Sequence, residues 1–171
     1  ALNSSDEGER ELASQDFANK AGWYLNLTTN GEKVLSSPLI IDYKVFFTTY
    51  VPAESSTSAC APPTGNSRAY LVSMFNGNAV TDVNNDGEVN GEDRSADLKQ
   101  TGIAAETKIL IEDIVSPVVC LGTECASAVI EVDEDGNDVD CVNAFECLAE
   151  NIYGRFERIQ RGSWHSETER E

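Results

Sequence analysis

The sequence predicts a mainly β protein of antiparallel, propeller-like meanders, with a short C-terminal helix and an acidic loop inserted between strands. Three observations carry this. Trp23, Leu25 and Leu27 alternate with Tyr24 and Asn26 at the period of a half-buried strand. Asn30-Gly31 and Asp135-Gly136 are tight-turn dipeptides set between β-branched and aromatic runs. The stretch Asp82 to Asp93 alternates oxygen-bearing side chains around a glycine.

Residues 1–21 form a polar lead-in, with Glu9, Arg10, Glu11, Leu12 and Phe17 compatible with a short helix or a mobile segment. Residues 22–171 read as one propeller-like region. A first strand at Trp23 turns at Asn30-Gly31 into a return strand, Val34 to Ile41. A turn at Asp42 and Tyr43 leads to Lys44 through Val51, which Pro52 ends. Residues 53–68, rich in Ser, Thr, Pro and Gly, make a surface loop, and Ala69 to Phe75 a fourth strand. Four such strands over about fifty residues are the size of one propeller blade. Lys108 to Val119 and Ser127 to Asp133 read as further strands, the latter turning into Val139 to Val142. In 143–153, Phe145, Leu148 and Ile152 recur at helical spacing. Arg155 to Trp164 reads as a closing strand.

Thirty acidic residues against twelve basic ones give a net charge of −18 in 171 residues. That charge repels phosphate backbones and anionic lipid heads, so nucleic acid is excluded as a partner. No apolar run reaches the ~18 residues of a membrane span, which excludes membrane insertion by a helix. The chain begins at Ala1 rather than Met and is expected to be processed or part of something longer. Five cysteines with only one histidine, His165, favour disulfides in an oxidising compartment over a zinc site. Fifteen pairings are open with one thiol left over. The local pairs Cys120 with Cys125 and Cys141 with Cys147 are expected, leaving Cys60 free or paired outside the chain.

The acidic loop carries the most specific chemistry. Asp82, Asn84 and Asp86 occupy positions 1, 3 and 5 of a calcium loop, Gly87 position 6, Val89 the apolar position 8 and Asp93 position 12. Alternate side chains of a tight coil converge on one point, and glycine permits the backbone to turn around the ion. The expected ligands of Ca2+ are therefore the side chains of Asp82, Asn84 and Asp86, the carbonyl of Glu88, Asn90 through water, and Asp93 as the bidentate closing ligand, with Val89 anchoring the loop. A bare Asn-Asp-Gly surface turn accounts for only two or three of these positions. Asp in place of Glu at the last position shortens its reach, as in single loops resembling dockerin repeats. Asp133 to Asp140 lacks this register, since Asp138 falls at the apolar position, and reads as a solvated hairpin tip. No catalytic constellation accompanies the loop: His165 lies in a polar tail, no phosphate-binding glycine loop occurs, and no carboxylate pair is singled out by an apolar setting. A non-enzymatic protein is expected, and Trp23 and Trp164 read as core residues.

The runs Gly22 to Leu27, Gly31 to Leu35, Val45 to Pro52, Cys60-Ala61-Pro62, Gly65 to Tyr70 and Val119 to Cys125 occur in an order that resembles the C-terminal part of the PilC/PilY family, large proteins associated with the tip of type IV pili. Arg161 to Trp164 is similar to that family's terminus. The resemblance implies part of a quinoprotein-like β-propeller with an inserted calcium loop, and a function in type IV pilus assembly, control of retraction and surface adhesion. It implies minor pilins or other pilus tip proteins as partners, together with a host or abiotic surface, and an extracellular or cell-surface location reached through the periplasm. The alternative is an extracellular structural module in which calcium only stabilises the fold. A remnant quinoprotein dehydrogenase would follow from fold analogy alone. A closed propeller takes at least four blades and 171 residues supply about two or three, so the chain is expected either to be a cut piece of a longer protein or to fold differently.

Overall fold

The computed structural model describes residues 7–53, 64–110, 117–135 and 137–153. The described residues open with a solvated helix, α1 (Glu7–Ala18), in which even Leu12 is exposed. Five strands then form one antiparallel sheet: β1 (Lys33–Val34), β2 (Leu39–Ile41), β3 (Lys44–Val51), β4 (Asn66–Ser73) and β5 (Ser95–Thr101). Its order is β1-β3-β4-β5, with β2 also paired to β3. A second, three-stranded antiparallel sheet follows, β6 (Lys108–Leu110), β7 (Val118–Leu121) and β8 (Glu124–Ser127), and then the helix α2 (Ala144–Glu150).

This is a mixed α/β fold with two separate antiparallel sheets, and it corrects the expectation of a mainly β propeller. Among the described residues neither sheet closes or curls into a barrel or blade ring. The pairs Phe46↔Leu71 and Thr48↔Ala69 share one face of the large sheet, and Ala96 continues that face from β5. That face is buried in one core with Leu98, Val119, Leu121, Ala128, Phe145, Leu148 and Ile152. In a propeller this surface would stack on a neighbouring blade; here the small sheet and α2 cover it, which removes the need for a ring. The analogy to a quinoprotein enzyme loses its basis with the propeller.

Individual elements depart from the sequence expectation in instructive ways. Trp23 to Leu27 keeps its alternation of half-buried and exposed residues, yet it joins no ladder among the described residues, so the expected four-stranded blade is missing its first strand. The expected return strand is broken into β1 and β2, and β3 has the expected bounds. The strand expected over Lys108 to Val119 is β6 and part of β7, paired with each other. Ser127 ends β8, and beyond it the described residues of 128–142 hold the single bridge Val132↔Asp138, part of an irregular hairpin. The expected Arg155–Trp164 strand, His165, Trp164 and Cys60 lie outside the described residues.

Helix α2 begins where the sequence places a helix, and its start has a local cause. The Asn143 side chain accepts from the Glu146 amide at 3.2 Å, while Glu146 reaches back to accept from the Val142 amide at 2.7 Å. This reciprocal arrangement satisfies amides that a helix start otherwise leaves unpaired. Both local disulfides form: Cys120–Cys125 joins directly opposed residues of β7 and β8, and Cys141–Cys147 ties α2 to the segment before it.

The last residue of α2 works against the helix. Glu150 is buried, and desolvation, reinforced by the charges of Glu146 and Glu131, raises its pKa from 4.5 to about 7. The negative end of the helix disfavours the carboxylate in the same sense. The folded state therefore holds a proton that the unfolded state releases. Stability is undiminished by this group below pH 4.5 and falls as pH rises toward 7, by on the order of 2–3 kcal/mol. Glu150→Gln is expected to be the more stable protein at pH 8.5, by about 2 kcal/mol in urea denaturation, and to match wild type near pH 4.5. Parallel stability profiles for the two proteins across this range would contradict the assignment.

Candidate metal centre

The loop between β4 and β5 is wound by its own side chains. The Asn84 oxygen accepts from the Asp86 amide at 2.9 Å, the Asp86 Oδ1 from the Glu88 amide at 2.8 Å, and the Asn90 oxygen from the Glu92 amide at 2.8 Å. Each is a side chain folding the backbone two residues on, the reason Asn and Asp recur at alternate positions. Asp82 Oδ2 accepts from the Gly87 amide at 2.8 Å across the coil. Two residues take the left-handed conformation that such a coil needs, Asn85 at φ +58° and Gly87 at φ +87°.

Asp93 closes the loop from inside. It is fully buried at 0% exposure, and its Oδ1 accepts from the amides of Val83 at 3.0 Å and Asn84 at 3.4 Å, its Oδ2 from that of Asn90 at 2.8 Å. Three of roughly four lone-pair positions on this carboxylate are thereby engaged by backbone. Its visible work is a clasp joining the two ends of the coil. The apolar anchor is also displaced from the expected position: Val83 is buried in the core, whereas Val89 is 41% exposed.

Among the described residues no group of three or more His, Cys, Asp or Glu side chains is gathered as a metal cluster. The donor set of this loop is of another kind, since it mixes two carboxylates, Asp82 and Asp86, with amide oxygens of Asn84 and Asn90 and the Glu88 carbonyl. Hard cations of the calcium type accept this mixture. One atom favours such an ion directly: Asp82 Oδ1 is buried and has no hydrogen-bond partner. A buried carboxylate oxygen left unpaired is costly, and a cation removes that cost. Asp86 Oδ2 is meanwhile met by the Asn84 side-chain amide at 3.0 Å, a partial positive charge at a position where a metal would act more strongly. The residues present fit an oxygen-coordinated divalent cation, with Asp82, Asn84, Asp86, Glu88 and Asn90 available to hold it and Asp93 holding the coil closed.

The second acidic stretch is a hairpin tip. Asp133 Oδ1 accepts from the amides of Asp135 at 3.0 Å and Asn137 at 2.8 Å, and the Val139 amide donates to the Glu131 carbonyl at 2.9 Å.

Two features near the loop have no local sequence signature. Arg94, directly after Asp93, donates Nε–H to the Gly77 carbonyl at 2.8 Å. Behind the sheet, Glu32 is buried and accepts at Oε1 from Thr49 at 2.6 Å and Tyr70 at 2.8 Å, with Arg68 Nη1 3.6 Å from its Oε2. Arg68 in turn donates to Asp97 at 2.7 Å. Burial pushes the Tyr70 hydroxyl upward in pKa, opposed by Arg68 and supported by Glu32.

Comparison with protein families, with curated proteins and with solved structures gives no match to this chain.

Proposed function

We propose that this chain is a calcium-binding, non-enzymatic module of a secreted or cell-surface protein that acts in type IV pilus assembly, control of retraction and surface adhesion. The observation that carries the calcium part is the orphaned, buried Asp82 Oδ1 inside a coil whose other oxygens fit the same ion. The pilus part rests on the ordered motifs from Gly22 to Cys125, with minor pilins or other tip proteins as the partners they imply. Two disulfides suit an exported protein. No helix of the described residues is long and apolar enough to cross a membrane.

A second reading has an observation of its own. Asp93 and Val83 weld the loop into the core, so calcium could act on fold stability alone, in an extracellular module unconnected with pili. Calorimetric titration of the chain with calcium tests the first part, with saturable binding near one ion per chain as the expected result. Co-precipitation of minor pilins with the chain, in calcium and in chelator, separates the readings. Calcium-dependent capture supports the pilus assignment, and saturable calcium binding with no pilin capture in either condition leaves the stabilising module as the function.

A further inference from the structure

The two disulfides stand in opposite settings. Cys147 is buried in α2 at 2% exposure and its partner Cys141 is half-buried, so that bridge is shielded by the core. Cys120 and Cys125 lie directly opposite each other on β7 and β8, one residue out of step with the fully buried Val119 and Leu121. Alternation along the strand turns this bridge away from the core, and Cys125 is exposed.

The hairpin that carries the exposed bridge is held without it. Its ladder runs from Val118↔Ser127 to Leu121↔Glu124, and Gly122 at φ +60° opens the two-residue turn such a hairpin takes. Gln100 of β5 fastens that turn to the large sheet. Its side-chain amide donates to the Leu121 carbonyl at 2.9 Å, its Oε1 accepts from the Thr123 amide at 3.5 Å, and its backbone amide donates to Glu124 Oε1 at 2.9 Å. A bond between cysteines that the turn already brings together closes a very short loop, so it restricts the unfolded chain little. Cys125 also lines a groove of about 220 Å³, whose walls include Lys99 of β5 and Asn143 and Phe145 at the start of α2. The groove's two carboxylates are engaged: Glu124 accepts from Gln100, and Glu146 Oε2 accepts from the Val142 amide at 2.7 Å. Lys99 is exposed and, among the described residues, has no ion-pair partner. One groove thus holds an uncommitted ammonium and an accessible half of a disulfide.

We propose that Cys120–Cys125 is a site of thiol–disulfide exchange whose substrate class is a dithiol approaching through this groove. A thiolate of the dithiol attacks Cys125 Sγ, the sulfur–sulfur bond breaks with Cys120 leaving as a thiolate, and a mixed disulfide forms. The second thiol of the dithiol, as its thiolate, then attacks its neighbour's sulfur in the mixed disulfide and releases Cys125. The dithiol gives up two electrons and two protons and ends as a disulfide; Cys120 and Cys125 take them up and end as thiols. Negative charge spreads over the sulfurs in each step, and the Lys99 ammonium stabilises it. Exposed disulfides are the ones that exchange, and buried ones resist reduction. The exchange is stoichiometric and reversible, and it stands independently of calcium binding.

The test uses the full chain carrying Cys60→Ser, which leaves only the two bridged pairs. Dithiothreitol is added without denaturant, and free thiols are trapped over time with N-ethylmaleimide and located by peptide mass. Cys120 and Cys125 are expected to be labelled about 10-fold faster or more than Cys141 and Cys147, with backbone circular dichroism unchanged. With glutathione as a monothiol, the mixed disulfide is expected on Cys125. Lys99→Gln is expected to slow the opening by about 3-fold, an effect that fades in 1 M salt. Reduced thioredoxin in a second arm distinguishes the source of the dithiol: opening by both reagents assigns a protein dithiol, and opening by dithiothreitol alone a small one. Equal rates at the two bridges, faster opening of Cys141–Cys147, or opening of Cys120–Cys125 only in urea overturns the proposal. An adduct on Cys120, or a Lys99→Gln chain that opens as fast as its parent, removes the groove as the route of attack and overturns it as well.

Discussion

An Asp86→Lys chain is expected to show no calcium-dependent rise in thermal midpoint, where the wild-type chain is expected to gain roughly 5–10 °C in calcium at a hundred times the dissociation constant. The estimate follows from mass action: a ligand at that excess adds about 2.7 kcal/mol to stability. For a chain of this size one kcal/mol moves the midpoint by about 2–4 °C. Asp86 is chosen because it does two things in the coil. Its Oδ1 fixes the Glu88 amide, winding the backbone of the coil, and its Oδ2 faces the Asn84 side chain. Lysine removes both and places an ammonium among the remaining oxygens. Without calcium the variant is relieved of some acid–acid repulsion, so the readout is the difference between calcium and chelator rather than either midpoint alone. Asn85→Gly serves as the control, because residue 85 lies at φ +58°, where glycine fits and no template ligand is lost. An equal calcium shift in Asp86→Lys and wild type removes the loop from consideration as the binding site.

The loop was legible in the sequence because its determinants are local. Each Asx oxygen folds its own backbone two residues ahead, so spacing in the chain becomes spacing in the coil. The same holds for the start of α2, where Asn143 and Glu146 form a reciprocal cap, and for the two disulfides closing short loops. The direction of Asp93 was not legible. A twelve-position template fixes where a carboxylate stands and not whether it faces the ion or the loop amides, and the shorter reach of Asp was the only hint. Strand pairing was lost for a different reason. Trp23, Leu25 and Leu27 alternate as a strand does, but alternation reports one buried side and is silent on hydrogen-bonded neighbours. β5 has little strand signature, because only Ala96 and Leu98 mark its buried face, with no β-branched or aromatic residue until Thr101. The propeller expectation rests on the blade-sized meander and on the family resemblance. What prevented it is nonlocal: Leu121, Leu148 and Ile152 occupy the face that a second blade would have needed.

The largest loss of stability is expected from Arg68→Met, whose cost is about 3 kcal/mol at pH 7. Glu32 has no exposed side-chain surface, and its Oε2 has no hydrogen-bond partner. Arg68 Nη1, 3.6 Å away, is the charge that offsets this burial. Desolvation of Arg68 itself opposes the pair, but the hydrogen bond and charge of Asp97 and the neighbouring Tyr70 outweigh it and keep the guanidinium charged. Methionine fills much the same volume as the arginine stem, so packing changes little and the effect is that of the lost charge together with its hydrogen bonds to Asp97 and Thr29. Removing one partner from a buried pair is costly because the other remains buried, whereas removing both is often nearly neutral. The double variant Glu32→Gln with Arg68→Met is therefore expected to recover a kcal/mol or more of the single variant's loss, with the Thr49 and Tyr70 hydroxyls still donating to the amide oxygen. The cluster joins the segment before β1 to β3, β4 and β5, so its loss weakens the sheet that carries both ends of the 82–93 loop. Urea denaturation of the three variants at pH 7 decides the matter. A loss below about 1 kcal/mol in Arg68→Met, or a double variant less stable than the single one, means that Glu32 is balanced by its hydroxyl donors and not by the arginine.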